Sequence, residues 1–330
     1  AYYPTEKGPY NYDVNPTAVS AGIDADGYLL DPSTRWAGMM RKIETPDFEE
    51  TNVEYIEFWM MDPFIYNPAH TGGKLIFNLG DVSEDVLRDH RKSYENGLPT
   101  SSTIENVDTT QWGRVPILQA LVNSFDNDPT SRQYQDIGLD GLSDADEASF
   151  YANAYLDAIA AVFGTTSQAY SNASGDPSTD NFHYFRGSDY DADELNILER
   201  YKKYNGVDGN SPTSDQSPED YPTSSTTLPN VEDINRDNTL NESERYFQYV
   251  IDMQPSKMVV GQNYITDVFN ASANLADGTT ATVKWYQFKI PVKDPDQVVG
   301  DIYDFKSIRF IRILMREFSE PIVLRFATME

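Results

Sequence analysis

Alternating apolar side chains near both ends of the chain are the feature that most restricts its fold. In residues 322–327, apolar side chains fall on one side and Arg325 on the other, a period of two that is typical of a half-buried strand. Residues 307–315 are apolar on both sides apart from their arginines, as in a strand inside a sandwich. Turn residues separate the two segments, so we expect neighbouring antiparallel strands.

The same alternation recurs far upstream. It is present in residues 53–61 and 73–79, and again in 284–291. We therefore expect the two ends of the chain to build one mainly β fold, an antiparallel β-sandwich of jelly-roll, galactose-binding-like type. The expected organisation is an extended N-terminal arm, a sandwich from two separate segments and a large helical, loop-rich acidic insertion: residues 1–50, 51–100 with 251–330, and 101–250, respectively.

Helical spacing of apolar residues predicts helices within the insertion, at residues 112–125, 145–163 and 193–204. Two connections rich in Ser, Thr, Asn, Asp and Pro, at 165–181 and 206–229, have loop compositions.

Charge limits the partners of this chain. It has 25 Lys and Arg against 53 Asp and Glu, a net charge of −28, and 26 acidic but 8 basic residues fall between positions 101 and 250. Such acidity disfavours nucleic acid and anionic lipid. Cysteine is absent and the three histidines are scattered, which excludes thiolate zinc sites and Cys nucleophiles. Divalent cations are the first partners to consider.

Residues 233–244 match a twelve-residue calcium loop, with oxygen-bearing side chains at positions 1, 3, 5, 9 and 12 and a backbone carbonyl at position 7. Position 6 is Asn238 in place of the usual glycine; Asn is the next residue best suited to a left-handed backbone. The predicted ligands are Asp233, Asn235, Asp237, Thr239, Asn241 and Glu244.

Residues 136–147 form a second candidate calcium loop. Carboxylates stand at positions 1, 5, 9 and 12, Gly141 is at position 6, and a helix is predicted directly afterwards. Gly138 at position 3 removes one ligand, so a water or a neighbouring group must complete the shell. The alternative for both loops is a solvated acidic turn. The predicted ligands are Asp136, Asp140, Leu142 through its carbonyl, Asp144 and Glu147.

Two other classes of function remain open from the residues alone. A carbohydrate-binding module would use Trp59, Trp285 and Tyr286, although aromatics at strand spacing more often cover or fill a core. A glycoside hydrolase needs paired carboxylates, but Glu54 and Glu57 fall on opposite faces of one strand. No Ser/His/Asp order, P-loop or dinucleotide fingerprint is present, so we expect a protein that is not an enzyme.

Several blocks of the sequence resemble the SprA/Sov family, giant outer-membrane proteins that form the translocon of the type IX secretion system and support gliding motility. The matching blocks are YPTEKGPYN at 3–11, VEYIEFWMMDP at 53–63, GKLIFNLGDVSED at 73–85, VEDINRDNTLNE at 231–242 and SIRFIRI at 307–313.

The resemblance implies that this chain is a soluble, non-catalytic domain of such a protein, and that the parent protein lies in the outer membrane. The acidity, the calcium-like loops and the long insertion favour the extracellular face, where calcium is roughly millimolar and saturates even weak loops. The implied partners are other parts of the parent barrel protein, secretion-system components or secreted cargo, and the implied cofactor is calcium.

Overall fold

A computed structural model describes residues 1–91, 103, 106–117, 128, 130, 134, 140–183, 185–204, 232–237, 239–274 and 278–329. The contacts divide the chain into two compact units. Unit 1 comprises Ala1–Thr5, Asp31–Val82 and Ser243–Glu330, and unit 2 comprises Glu6–Leu30 and Ser83–Glu242. Among the described helices, none has the length and apolar character needed to cross a membrane.

Unit 1 is built from antiparallel strands. They are β1 Trp36–Lys42, β2 Tyr55–Met61, β3 Gly73–Asp81, β6 Arg245–Met253, β7 Ile265–Asn274, β8 Thr280–Pro291, β9 Gln297–Val299, β10 Phe310–Arg316 and β11 Phe326–Met329. One sheet has the order β1-β10-β3-β6-β9 and the other β11-β2-β8-β7. The mainly β, antiparallel sandwich with a helical insertion is therefore confirmed.

Aromatic side chains from both sheets fill the core between them. Phe58 of β2 stacks on Phe288 of β8 with ring centroids 4.9 Å apart, and it contacts Phe77 of the opposite sheet at 5.5 Å. All three are fully buried. The alternation in β2 and β8 follows directly, because every second side chain enters this core.

The two C-terminal strands lie in different sheets, so the prediction that they are neighbours is wrong. β10 pairs with β1 and β3, whereas β11 pairs with β2. The connection between them carries Phe318, which is fully buried in the core. The alternating pattern at 322–327 gives neither the sheet that the strand joins nor its buried face, since β11 begins at Phe326 and its four residues are exposed.

Arginines in the apolar strands are explained by buried and half-buried carboxylates. Asp81, 1% exposed, accepts hydrogen bonds from Arg245 Nε at 2.6 Å and Arg309 Nε at 2.5 Å. Arg312 of β10 binds both carboxylate oxygens of Glu244, at 2.8 and 3.0 Å. Arg245, Arg309 and Arg312 therefore lie in ion pairs on unit 1.

Unit 2 contains a hairpin and short helices. The elements are β4 Val107–Thr110, β5 Gly113–Pro116, α1 Asp144–Phe150, a π-helix at Ala152–Leu156, α2 Asp157–Phe163, α3 Gln168–Gly175, α4 Ser188–Ala192 and α5 Ile197–Lys202. Residues of the N-terminal segment, among them Val14, Ile23 and Leu29, share its core with Tyr151 and Ile159.

Two predictions within this unit need correction. The helix predicted at 112–125 is wrong for residues 113–116, which form β5; residues 118–125 lie outside the described part. The segment predicted as a loop at 165–181 contains α3, which Ser167 caps by accepting a hydrogen bond from Tyr170 N at 3.2 Å. Two buried alanines pack α3 against the core. The segment is otherwise rich in Ser and Asn, so its composition does not indicate this apolar face. The predicted loop at 206–229 lies outside the described residues.

Candidate metal centre

Three buried carboxylates of unit 2 converge on one point. The side chains of Asp140, Glu147 and Asp180 are 3%, 1% and 1% exposed. One oxygen from each carboxylate lies within 4.8 Å of the other two. Two of these residues belong to the second predicted calcium loop.

The local sequence explains how the loop brings Asp140 and Glu147 together. Gly141 adopts a φ of +70°, the left-handed turn that position 6 of a calcium loop requires. The next amide, Leu142 N, donates to Asp140 Oδ1 at 2.9 Å. Ser143 then caps α1 by accepting from Asp146 N at 3.4 Å, and this places Glu147 in the first turns of that helix.

Asp180 reaches the cluster from the segment after α3. Ser178 connects that segment to the loop: its hydroxyl donates to Asp140 Oδ2 at 2.5 Å, and its amide donates to Glu147 Oε2 at 3.4 Å. Asp180 N donates to Asp176 Oδ1 at 3.1 Å, which closes a turn around it. The third carboxylate is thereby fixed from outside the loop.

The Glu147 carboxylate has few partners in the cluster. Burial is the larger cause and repulsion from Asp180 and Asp140 the smaller; together they raise the pKa of Glu147 from 4.5 to about 9. Burial also raises the pKa of Asp140. Among the described residues, the single hydrogen bond that the Glu147 carboxylate accepts is the long one from Ser178 N. A buried carboxylate is normally paired or bound to a metal, so Glu147 is under-partnered.

The chemistry of the donor set fits a hard divalent cation. All three side chains offer carboxylate oxygens, the ligands that calcium and magnesium prefer, and the set contains no sulfur or imidazole. Calcium accepts six to eight ligands in flexible geometry, so three carboxylates, a loop carbonyl and waters would suit it.

The sequence predicted this site in part. Asp140 and Glu147 are brought together, whereas Asp136 lies outside the described residues. Asp144 is the first residue of α1, and the side chain of Leu142 is buried in the core of unit 2. Asp180 was missed, because it lies in a predicted loop and no spacing rule links it to residues 136–147.

Replacing Gly141 tests the loop geometry. A Cβ at Gly141 would lie 2.5 Å from the carbonyl oxygen of Arg114, whereas at Gly164, with a φ of +83°, it would meet no atom within 4 Å. Gly164, with a ψ of 157°, lies in a backbone region that is essentially restricted to glycine, so we expect Gly164→Ala to destabilise by backbone strain alone, about 1–3 kcal/mol. We expect Gly141→Ala to destabilise by clearly more. Urea denaturation of both variants measures the difference; equal losses would contradict the crowding at Gly141.

The first predicted loop folds around a carboxylate. Glu84, fully buried, accepts hydrogen bonds from Ile234 N at 2.7 Å, Asn241 N at 3.2 Å and Asn235 N at 3.5 Å. The loop therefore directs amide groups toward an anion, an arrangement that no pattern within residues 233–244 indicates.

Side chains of that loop are bonded to one another. Asp237 accepts from Thr239 Oγ1 at 2.6 Å and from Asn235 Nδ2 at 2.9 Å, and Asp233 Oδ1 accepts from Asp237 N at 2.9 Å. Glu244, the expected bidentate ligand, is the residue that pairs with Arg312. Calcium in this loop stays a prediction.

A second group of possible ligands lies beside a turn of unit 2. Asp85, His90 and Glu242 form the group, and His90 Nδ1 lies 3.0 Å from Glu242 Oε2 with both side chains exposed. The Asp85 carboxylate accepts the amides of Arg88 at 2.8 Å and His90 at 3.1 Å. These are the contacts of a turn with an exposed ion pair, so the buried cluster is the stronger candidate.

The predicted carbohydrate-binding aromatics do not share a face. Tyr286 is 5% exposed and belongs to the core between the sheets, so the prediction that it contacts sugar is wrong. Trp59 and Trp285 are half-buried on the opposite face. There Trp59 pairs with Gln287 and Trp285 with Met61, which makes the two indoles diagonal neighbours.

Comparison with protein families gives one match. The model of the family SprA_N, described as motility related/secretion protein, matches residues 154–330. A search of curated proteins found no match. The matched region includes most strands of unit 1 and one ligand of the buried cluster, Asp180. Because the match extends over more than half of the chain, it confirms the resemblance seen in the sequence, and the chain belongs to this family of motility-related and secretion proteins.

Proposed function

We propose that this chain is a non-catalytic domain of a type IX secretion translocon that supports gliding motility, and that calcium stabilises its acidic unit. Membership of a motility and secretion family supports the first part. The observation that carries the second is Glu147, a buried carboxylate with one long hydrogen bond, facing two more carboxylates.

In this proposal the buried cluster has a structural role. Calcium would join α1, through Glu147, to the loop at Asp140 and to the segment after α3 at Asp180. The three ligands come from separate parts of unit 2, so the ion would cross-link them. Such a cross-link resists unfolding by binding the folded state alone.

We place the domain at the extracellular face of the outer membrane, in contact with other parts of its parent protein, with secretion-system components or with secreted cargo. The net charge of −28 suits a compartment in which calcium is roughly millimolar. Antibodies raised against the chain should label intact cells. Labelling that requires permeabilised cells would contradict this location.

Calcium dependence is tested by melting. We expect EDTA to lower the melting temperature, and millimolar calcium to restore it where equal magnesium restores less. No change at millimolar calcium would contradict the metal part of the proposal and leave family membership untouched.

The alternative function, a carbohydrate-binding module, has one observation in its favour. Trp59 and Trp285 lie as neighbours on the outer face of the four-stranded sheet, close to Phe269 of β7, which pairs with Trp285 and is 59% exposed. Aromatic rings on one sheet face can stack on sugar rings. A glycan array that responds to the wild type but not to Trp59→Ala or Trp285→Ala would favour this alternative.

A further inference from the structure

A lysine from the N-terminal segment lies beside the segment that carries Asp180. Lys7 Nζ donates to the carbonyl of Pro177 at 2.8 Å and to Thr179 Oγ1 at 3.0 Å. Both partners belong to the segment that delivers Asp180. The same ammonium lies over the rings of Tyr12 and Tyr155, 5.0 and 5.4 Å from their centroids.

The charge of Lys7 acts on the same carboxylates that would bind calcium. Burial lowers the pKa of Lys7 to about 8, while Asp176, Asp180, Glu147 and Asp140 act to raise it. A buried ammonium is costly unless it is paired with negative charge, and the acidic cluster supplies that charge.

Lys7 also lines a pocket in unit 2. A pocket of about 380 Å³ is lined by Lys7, Tyr155, Asp176 and Thr179. Two other lysines, Lys202 and Lys203, line the pocket. Lys202 forms an ion pair with Glu6 at 2.6 Å, so Glu6 balances its charge. Lys203 lies 3.9 Å from Asp176, whereas Lys7 donates to the residues directly before Asp180.

We propose that Lys7 is a built-in competing cation for the calcium site. The inference rests on the proposed calcium function. In the calcium-free protein the ammonium compensates part of the charge of the three carboxylates. When calcium binds to the buried carboxylates, the two cations repel each other, which weakens binding. The domain would then hold calcium where the ion is abundant and release it where it is scarce.

Calcium titration of the full chain tests this inference. We expect Lys7→Met, which keeps the apolar stem and removes the charge, to tighten calcium binding at least about tenfold. Lys7→Arg keeps the charge and should bind like the wild type. Lys202→Met, the matched control from the same pocket, should change the affinity less than about twofold.

The outcomes separate the two proposals. If the wild type binds calcium and Lys7→Met binds no tighter, the competition is refuted while the calcium site stands. If neither protein binds calcium, the proposed function fails and this inference with it. Binding by Lys7→Met alone would contradict the proposed calcium function of the wild type, and this inference with it. Should Lys7→Met fail to fold, Lys7→Gln, which can still donate to Pro177 or Thr179, replaces it under the same criteria.

Discussion

Glu147→Gln is expected to abolish stabilisation by calcium while raising the melting temperature of the calcium-free protein near neutral pH. With free calcium at about 100 times the Kd, the ion adds about 2.7 kcal/mol to the wild type, which corresponds to a rise of roughly 4 °C in the melting temperature of a chain of 330 residues. A neutral amide cannot replace a bidentate carboxylate, so the variant should show a shift near zero.

The second half of this prediction follows from the sign of the pKa shift. The folded protein keeps the proton of Glu147 up to a pKa of about 9, whereas the ordinary value is 4.5. Between these values the folded state binds more protons than the unfolded chain, so stability falls as pH rises from about 5 toward 9. Gln has no proton to lose, and the variant should therefore lose less stability over this range.

Asp157→Asn is the matched control for Glu147→Gln. Asp157 lies exposed in the first turn of α2, so its replacement removes a carboxyl group of unit 2 that is not part of the buried cluster. We expect it to keep both the calcium shift and the pH dependence of the wild type. A calcium shift that survives Glu147→Gln would exclude this residue as a ligand.

Phe58→Ala has the largest effect expected on unit 1. Phe58 is fully buried between the rings of Phe288 and Phe77, and truncation leaves a cavity in both halves of the sandwich core. We expect a loss of about 3–5 kcal/mol in the free energy of unfolding. Phe269→Ala, on the exposed face of the same sheet, should change it by less than about 0.5 kcal/mol. Denaturant titration of both variants measures the two losses in the free energy of unfolding. Similar losses would contradict the assignment of Phe58 to the core face and Phe269 to the exposed face.

The fold could be predicted from sequence to the extent that it depends on side-chain alternation. Strands β2, β3 and β8 were predicted at nearly their observed positions. β2 and the second half of β8 bury every second residue against the core, and β3 is buried along nearly its whole length. The assignment of strands to sheets could not be read in this way. Whether β10 and β11 are neighbours depends on the crossing at Phe318, a long-range choice that a local pattern does not encode.

The candidate site, like the fold, could be predicted only where its residues are close in sequence. Asp140, Gly141 and Glu147 lie within one loop, and their spacing alone predicted a cation site. Asp180 and Lys7 reach the site only through the tertiary fold, from segments that were predicted as a loop and an extended arm. The amide groups that surround Glu84 are a further case, since the acidic side chain at their centre is distant in sequence.

Calorimetric titration of calcium into the EDTA-treated wild type and into Asp180→Asn tests the central claim most directly. Asp180 lies outside any calcium-loop pattern, so its role depends on the fold alone. We predict that the wild type binds calcium and that Asp180→Asn binds at least about tenfold more weakly, with unchanged folding by circular dichroism. Absence of binding to the wild type, or equal binding by the folded variant, would contradict a calcium site at Asp140, Glu147 and Asp180.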